Sequence, residues 1–207
     1  MKKRIQVGLF DTETNGYKGS SVLSISFIKL ELWIEYGRLK CKKIGELNEF
    51  FQPIEQWNKS SSEIHSITKQ NVEEYRLNNK VFKNNLHFQD EFVQQQIKTL
   101  LFSADLLVAH NIGFDISFMK FPYPKNRQYD TMVELTPVMK LPHPKYGNKS
   151  PKLKEAASYY GIEMDESQLH GSLYDTRILS KVVYAMLQDK ETKLMDKIIK
   201  LIKEKNE

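Results

Sequence analysis

Apolar and polar residues alternate from the first few positions of the chain, and the alternation breaks where another apolar residue is due. Ile5, Val7 and Leu9 recur at every second position, as in a strand with one buried face. The next two positions on that face are Asp11 and Glu13. Either the strand stops at Phe10 and a polar turn follows, or two acids stand where the pattern asks for apolar side chains. The alternation predicts a first strand over roughly residues 4–12. In "SVLSISFIKLELW", Leu23, Ile25 and Phe27 oppose Ser24 and Ser26, after which Ile28, Leu30 and Leu32 alternate with Lys29 and Glu31. This change of phase predicts a bulge or bend near Phe27. A third strand is expected near 43–51, stopped by Pro53. The short connections leave no room for crossover helices, so the three strands should form an antiparallel meander.

Beyond Pro53 the period becomes helical. "DEFVQQQIKTLLF" carries Phe92, Val93, Ile97, Leu100 and Leu101 at helical spacing. "ADLLVAHN" reads as a short strand buried on both faces, followed by a helix from about Gly113 and a further short strand in "RQYDTM". "SPKLKEAASYYG" has helix punctuation, with Ser150 as N-cap, Pro151 at the first position and Gly161 as the stop. Two more helices are expected, over 172–188 and from Lys190 onward. Antiparallel strands followed by strands alternating with helices indicate an α/β domain with a mixed sheet.

Composition narrows the class without changing this outline. The 207 residues are 40% hydrophobic and 28% charged, without repeats or low-complexity runs, which suits a single globular domain. One cysteine, Cys41, excludes an intrachain disulfide and a cysteine-rich zinc site, and fits a reducing compartment. The basic start "MKKRIQVGLF" is followed by too short an apolar run for an export signal, so the expected location is cytoplasmic. No stretch approaches the roughly 18 apolar residues of a membrane span. The net charge of +5 is unevenly distributed: between Lys120 and Lys154 there are eight basic residues against Asp130 and Glu134. Such a stretch is either solvated surface or a guide for a polyanion.

Four carboxylates fall at strand or helix ends: Asp11 and Glu13, Asp115 in "LVAHNIGFD", and Asp175 in "LHGSLYDTR", which also supplies His170. Strand ends and the adjoining helix starts are where α/β sites gather. Taken singly, each has a structural explanation. Asp115 suits a helix first turn, Ser172 and Asp175 have capping-box spacing, and His170 could be a loop residue.

As an ordered set, "FDTETNG", "IHSIT", "HNIGFD", "YDT" (129–131) and "HGSLYD" resemble the DEDD superfamily of 3′–5′ exonucleases over roughly residues 4–185. Gly171 stands four positions before Asp175, where the tyrosine branch would have Tyr, and His170 stands five before it. The chain is therefore similar to the DEDDh, DnaQ-like branch, which includes the proofreading exonucleases of bacterial replicative DNA polymerases. Asn15 stands where the family commonly has Thr, and Ser24 where it often has Glu.

The resemblance implies a ribonuclease H-like α/β fold, with three antiparallel strands then two parallel ones in a mixed sheet flanked by helices. The domain would span 1–187, and 188–207 would form a lysine-rich amphipathic helix packed on it or docking a partner. Asp11, Glu13, Asp115 and Asp175 would hold two divalent cations, Mg²⁺ or Mn²⁺, since converging carboxylates repel and oxygen-only ligands suit hard ions. Paired metals about 3.5–4 Å apart suit phosphodiester cleavage, and His170 would be the general base for the attacking water. Thr12, Thr14, Ile64, His65, His110, Asn111 and Phe114 would line the terminal nucleotide, Ile64 and Phe114 through sequence-tolerant apolar contact. The expected activity is 3′–5′ hydrolysis of single-stranded or frayed DNA ends, with a DNA polymerase or other replication partner. RNA or short oligonucleotides are the alternative substrates, and a polymerase-associated binding module the non-enzymatic alternative.

Overall fold

A computed structural model describes residues 4–145, 147–165 and 171–205. Its strands are β1 (Ile5–Thr14), β2 (Val22–Glu35), β3 (Arg38–Phe50), β4 (Leu106–Ala109), β5 (Gln128–Asp130), and the two-residue pair β6 (Pro142–His143) and β7 (Gly147–Asn148). Its helices are α1 (Lys59–His65), α2 (Val72–Leu77), α3 (Glu91–Phe102), α4 (Ile112–Ile116), α5 (Thr131–Met139), α6 (Leu153–Tyr159), α7 (Ser172–Met186) and α8 (Leu194–Glu204). The main sheet runs in the order β3-β2-β1-β4-β5. β1 pairs antiparallel with β2, and β2 with β3, while β4 and β5 extend the sheet in parallel from β1. This is the mixed ribonuclease H-like arrangement expected from the sequence.

β1 continues through Glu13, in register with β2 from Ile5 opposite Leu32 to Glu13 opposite Ser24. The turn reading at Phe10 is thereby excluded. The expected bulge near Phe27 is absent, because β2 does not change phase. Ser24, Ser26, Ile28, Leu30 and Leu32 share one face by strand alternation, and Leu23, Ile25, Phe27, Lys29 and Glu31 the other. Residues 22–28 are buried on both faces, whereas Lys29 and Glu31 are only partly covered. The change in pattern thus records where cover is lost on one face. The register irregularity lies further along, between Lys29 and Leu30, where Ile44 of β3 is the extra residue.

One side of the sheet packs Ile5, Val7, Leu9, Ile28 and Leu30 against α5, α6, α7 and α8. The opposite side packs Phe10, Ile25, Phe27 and Leu107 against α3 and the Phe82–Phe88 loop aromatics. Here Gly8 has no tolerance for a side chain, since a Cβ would lie 2.5 Å from the Phe27 ring. Phe92 on α3, although at core-like spacing, is 56% exposed.

α6 starts two residues later than its punctuation suggests. Lys152 is its N-cap, and Glu155 accepts the Lys152 amide, whereas Ser150 and Pro151 remain in the preceding loop. Gly161 does end it, at φ 65°. Among the described residues, no helix is long and apolar enough to cross a membrane.

Candidate active site

The parallel strands β1, β4 and β5 bring their carboxyl ends to one edge, where α4 and α5 begin. Asp11 and Glu13 extend the face of Ile5, Val7 and Leu9, but α7 covers this end with its polar first turn. The cover is held by hydroxyls: Ser24 Oγ donates to Ser172 Oγ (2.9 Å), and Ser26 Oγ to the Ser172 carbonyl (2.6 Å). Thr176 Oγ1 lies in contact with Ser26 Oγ and also donates to the Ser172 carbonyl. Small residues on both partners let the helix approach closely, and its next turn delivers Asp175 to the strand carboxylates. Asp11, Glu13 and Asp175 each offer an oxygen within 4.8 Å of the others. Ser172 is not a capping-box N-cap, since Gly171 occupies that position.

Asp115 enters differently. The β1–β4 pairing ends at Leu9 and Val108, so the amide of Thr12 has no strand partner on that side. Asp115 Oδ1 takes it, accepting from Thr12 N (3.0 Å) and Thr12 Oγ1 (2.7 Å). Its buried carboxylate is therefore anchored beside the other three without belonging to the close trio. The chain reaches α4 through Asn111, held in the left-handed region at φ 71° with its amide donating to Asp130 Oδ1. The same Asp130 oxygen caps α5 through the amides of Met132 and Val133, so the "YDT" aspartate fixes the starts of two helices.

The electrostatics record the crowding. Burial, then the charges of Glu13, Asp115 and Asp175, hold Asp11 well above the ordinary carboxylate range. Burial, then Asp175 and Asp115, does the same to Glu13. Burial lifts Asp115 to about 7 despite the opposing hydrogen bonds from Thr12. Asp11 and Glu13 remain partly exposed to the cleft, yet Asp11 Oδ2 is buried without a hydrogen-bond partner among the described residues. A divalent cation would satisfy this oxygen and relieve the mutual repulsion. The all-oxygen donor set therefore fits a hard metal ion.

Two adjoining hollows flank the carboxylates. The larger, about 530 Å³, includes Asp11, Glu13, Asp115, Asp175, His110 and Asn111 in its lining. The smaller, about 260 Å³, is lined by Thr12, Thr14, Ile64, His65 and Phe114 among others. The expected substrate-contacting residues are thus gathered around the carboxylates. Two of them, however, direct their ring nitrogens inward. His65 accepts the Ile67 amide at Nδ1 and meets the Thr14 carbonyl at Nε2 (3.1 Å). His110 meets Thr131 Oγ1 at Nδ1 (2.9 Å) and the Pro151 carbonyl at Nε2 (2.8 Å), and burial lowers its pKa. Both act as braces for the cleft walls. His170 lies outside the described residues.

Comparison with known proteins agrees with this geometry. A family model described as "Exonuclease" (RNase T) matches residues 9–183. The chain belongs to this exonuclease family. It is a DnaQ-like 3′–5′ exonuclease, as the ordered motifs indicated. DNA polymerase III subunit epsilon of Haemophilus influenzae is 25% identical over 199 residues, covering 91% of this chain and 69% of that protein. Exonuclease X, solved with 5′ overhanging duplex DNA, superposes with a TM-score of 0.59 at 16% identity, covering 95% of this chain and 99% of that one. Escherichia coli exonuclease I, solved with a dT13 oligonucleotide, gives a TM-score of 0.63 at 14% identity, covering 93% of this exonuclease and 43% of that chain.

Sequence reasoning missed part of the site. Met132, Ser150, Lys152 and Lys154 also line the larger hollow, and Tyr17 and Asn58 the smaller. The lysines were visible only as charge density. The two departures from the family pattern have local roles. Ser24 belongs to the hydroxyl seam under α7, and Asn15 Nδ2 donates to Glu55 Oε1 and the Gln56 carbonyl, tying β1 to the loop that leads into α1.

Proposed function

We propose that this exonuclease removes nucleotides from the 3′ end of DNA by metal-dependent hydrolysis. The observation that carries the reading is the convergence of Asp11, Glu13 and Asp175 oxygens within 4.8 Å beside an anchored Asp115. Asp11, Glu13 and Asp175 would hold the nucleophile-side ion, Asp11 would also bridge to a second, and Asp115 would support that second ion. When bound, Mg²⁺ or Mn²⁺ would neutralise the carboxylates, acidify an attacking water and stabilise the leaving oxygen.

The remaining work falls to the chain's own groups. Ile64 and Phe114, in the smaller hollow, offer apolar surface to the terminal base or sugar without reading its identity. Thr12 holds the Asp115 carboxylate, and Thr14 is fixed through His65. Lys152 and Lys154, on the rim of the larger hollow, would offset the phosphate charge. His170, five residues before Asp175 in the sequence, would take the proton from the attacking water. DNA is favoured over RNA by the exonucleases solved with DNA that share this fold. Similarity to polymerase III epsilon subunits supports a replicative polymerase as partner and a cytoplasmic setting.

The test is digestion of end-labelled single-stranded DNA, duplex DNA and RNA, with Mg²⁺, Mn²⁺, Zn²⁺ or EDTA. Single-stranded DNA should be shortened fastest, and with Mg²⁺ or Mn²⁺. Faster turnover of RNA would replace the DNA reading, and equal activity in EDTA would remove the metal. For the base, His170→Ala should lose most turnover and the acid limb of the pH–rate profile, while retaining metal binding. Persistence of that limb in the variant would contradict the assignment.

A further inference from the structure

A third depression adjoins the catalytic cleft, and apart from the two lysines it shares with the cleft the hydrolytic chemistry does not use it. Its volume is about 640 Å³, and Met139, Leu141, Lys149 and Tyr159 line it together with Lys152 and Lys154. The last two lysines also line the catalytic hollow, so the two spaces share a wall. We propose that this groove, on the outer side of α6, holds the single-stranded DNA that runs 5′ from the terminal nucleotide. The backbone would lie along Lys149, Lys152 and Lys154, and a base would rest against Tyr159. The proposal rests on the reading of the chain as an exonuclease of DNA 3′ ends.

Four features support it. The groove borders the larger catalytic hollow along Lys152 and Lys154, so a strand longer than the terminal residue would meet it on leaving the carboxylates. Its charge suits a polyanion: among the described lining residues, Lys149, Lys152 and Lys154 stand beside one acid, Glu155, which pairs with Lys149 and accepts the Lys152 amide. Its floor is apolar and aromatic, the combination of basic groove and stacking surface that binds single strands without sequence preference. Tyr159 is 50% exposed, yet braced. Its ring packs edge-on to Tyr160 at 5.0 Å, and the Tyr160 hydroxyl donates to Asp189 at 2.8 Å. A half-exposed aromatic held in place from behind can accept a base at little cost in side-chain entropy.

His110 links this groove to the catalytic edge. Its Nε2 contact to the Pro151 carbonyl pins the 150–154 segment beside β4, which sets where Lys152 and Lys154 stand. In this role it is a positioning residue for the strand.

The test compares hydrolysis of a thymidine dinucleotide, too short to reach the groove, with that of a dodecanucleotide. In the double variant Tyr159→Ala/Lys149→Gln, the KM of the long strand should rise by about 5- to 100-fold, the loss of one stacked base. The dinucleotide KM should not change. Tyr159→Phe, which keeps the ring, should retain the wild-type length dependence. An equal effect at both lengths, or none at the long one, would overturn the groove. A second readout needs no turnover: anisotropy of a fluorescent dodecathymidylate bound in EDTA at several salt concentrations. Lys149→Gln should make the slope of log K against log salt shallower by about 0.7, one single-strand phosphate contact. An unchanged slope would count against the groove even if the wild-type protein proved not to degrade DNA. Failure of the wild-type protein to shorten either substrate would instead count against the exonuclease reading.

Discussion

At the scale of single residues, the site is a set of carboxylates kept close against their own repulsion. Without metal, this should be visible as a stability that depends on pH. A carboxyl whose folded pKa is raised binds more protons folded than unfolded between its two pKa values, so stability falls as pH rises through that interval. For Asp115 the window runs from about 4, the usual unfolded value, to about 7. Asp115→Asn keeps an oxygen to accept from Thr12 but cannot ionise. In EDTA, the melting temperature of the variant should therefore gain on that of the wild-type protein as pH rises from about 5 to 8. Parallel curves would show that Asp115 is not held protonated. Divalent metal should raise the wild-type melting temperature most at the alkaline end, where the carboxylates are charged, and much less in Asp11→Asn.

The elements explain why the site was only partly legible in the sequence. The broken alternation at Asp11 and Glu13 could be read because strand geometry forces both acids to the face already marked by Ile5, Val7 and Leu9. The meander, the helices and the motif order could be read in the same way. The outline of β2 misled, since an alternating strand covered on both faces at one end and on one face at the other mimics a change of phase. Likewise, Ser150 and Pro151 have the chemistry of a helix start, but the Pro151 carbonyl is committed to His110 and the helix begins at Leu153. The serines of β2 were visible as the polar face of a strand and Ser24 as a departure from the family, but their role was not, because a hydroxyl that seats a distant helix looks like any polar residue. Their importance can be measured. Ser26→Ala removes only the hydroxyl that contacts Ser172 and Thr176, and should cost about 1–3 kcal/mol in denaturant unfolding. It should also lower turnover by roughly 10²-fold, since a displacement of about 1 Å at a catalytic group has that effect. Wild-type turnover in Ser26→Ala would mean that the seam does not set the position of Asp175.

For the whole molecule, α8 belongs to the core and not to its surface. Leu194, Ile198 and Ile202 are buried in the same core as β1 and α7, and Lys205 pairs with Asp105 just ahead of β4. This face is committed inward, which supports a structural role for the C-terminal helix. Ile198→Ala should therefore destabilise the protein by about 2–5 kcal/mol. A change below about 0.5 kcal/mol, normal for a surface position, would return the helix to the role of a docking element. The basic stretch takes its meaning at this scale too, because folding sets Lys152 and Lys154 on the rim of the carboxylate hollow. Positive groups suited to a phosphate backbone and carboxylates suited to a cation thus stand side by side, as the proposed hydrolysis requires.

The central claim, that the clustered carboxylates serve metal-dependent hydrolysis from a 3′ end, is tested most directly by one digestion. A single-stranded oligonucleotide labelled at its 5′ end is incubated with wild-type protein or Asp11→Asn, in Mg²⁺, Mn²⁺ or EDTA, and resolved at single-nucleotide spacing. The wild-type protein with either metal should yield a ladder shortening one nucleotide at a time. EDTA should abolish it, and Asp11→Asn should slow it by at least about 10²-fold, more than the loss of an outer-shell partner would. A ladder undiminished in Asp11→Asn or in EDTA, or immediate release of the 5′ label, would contradict the account.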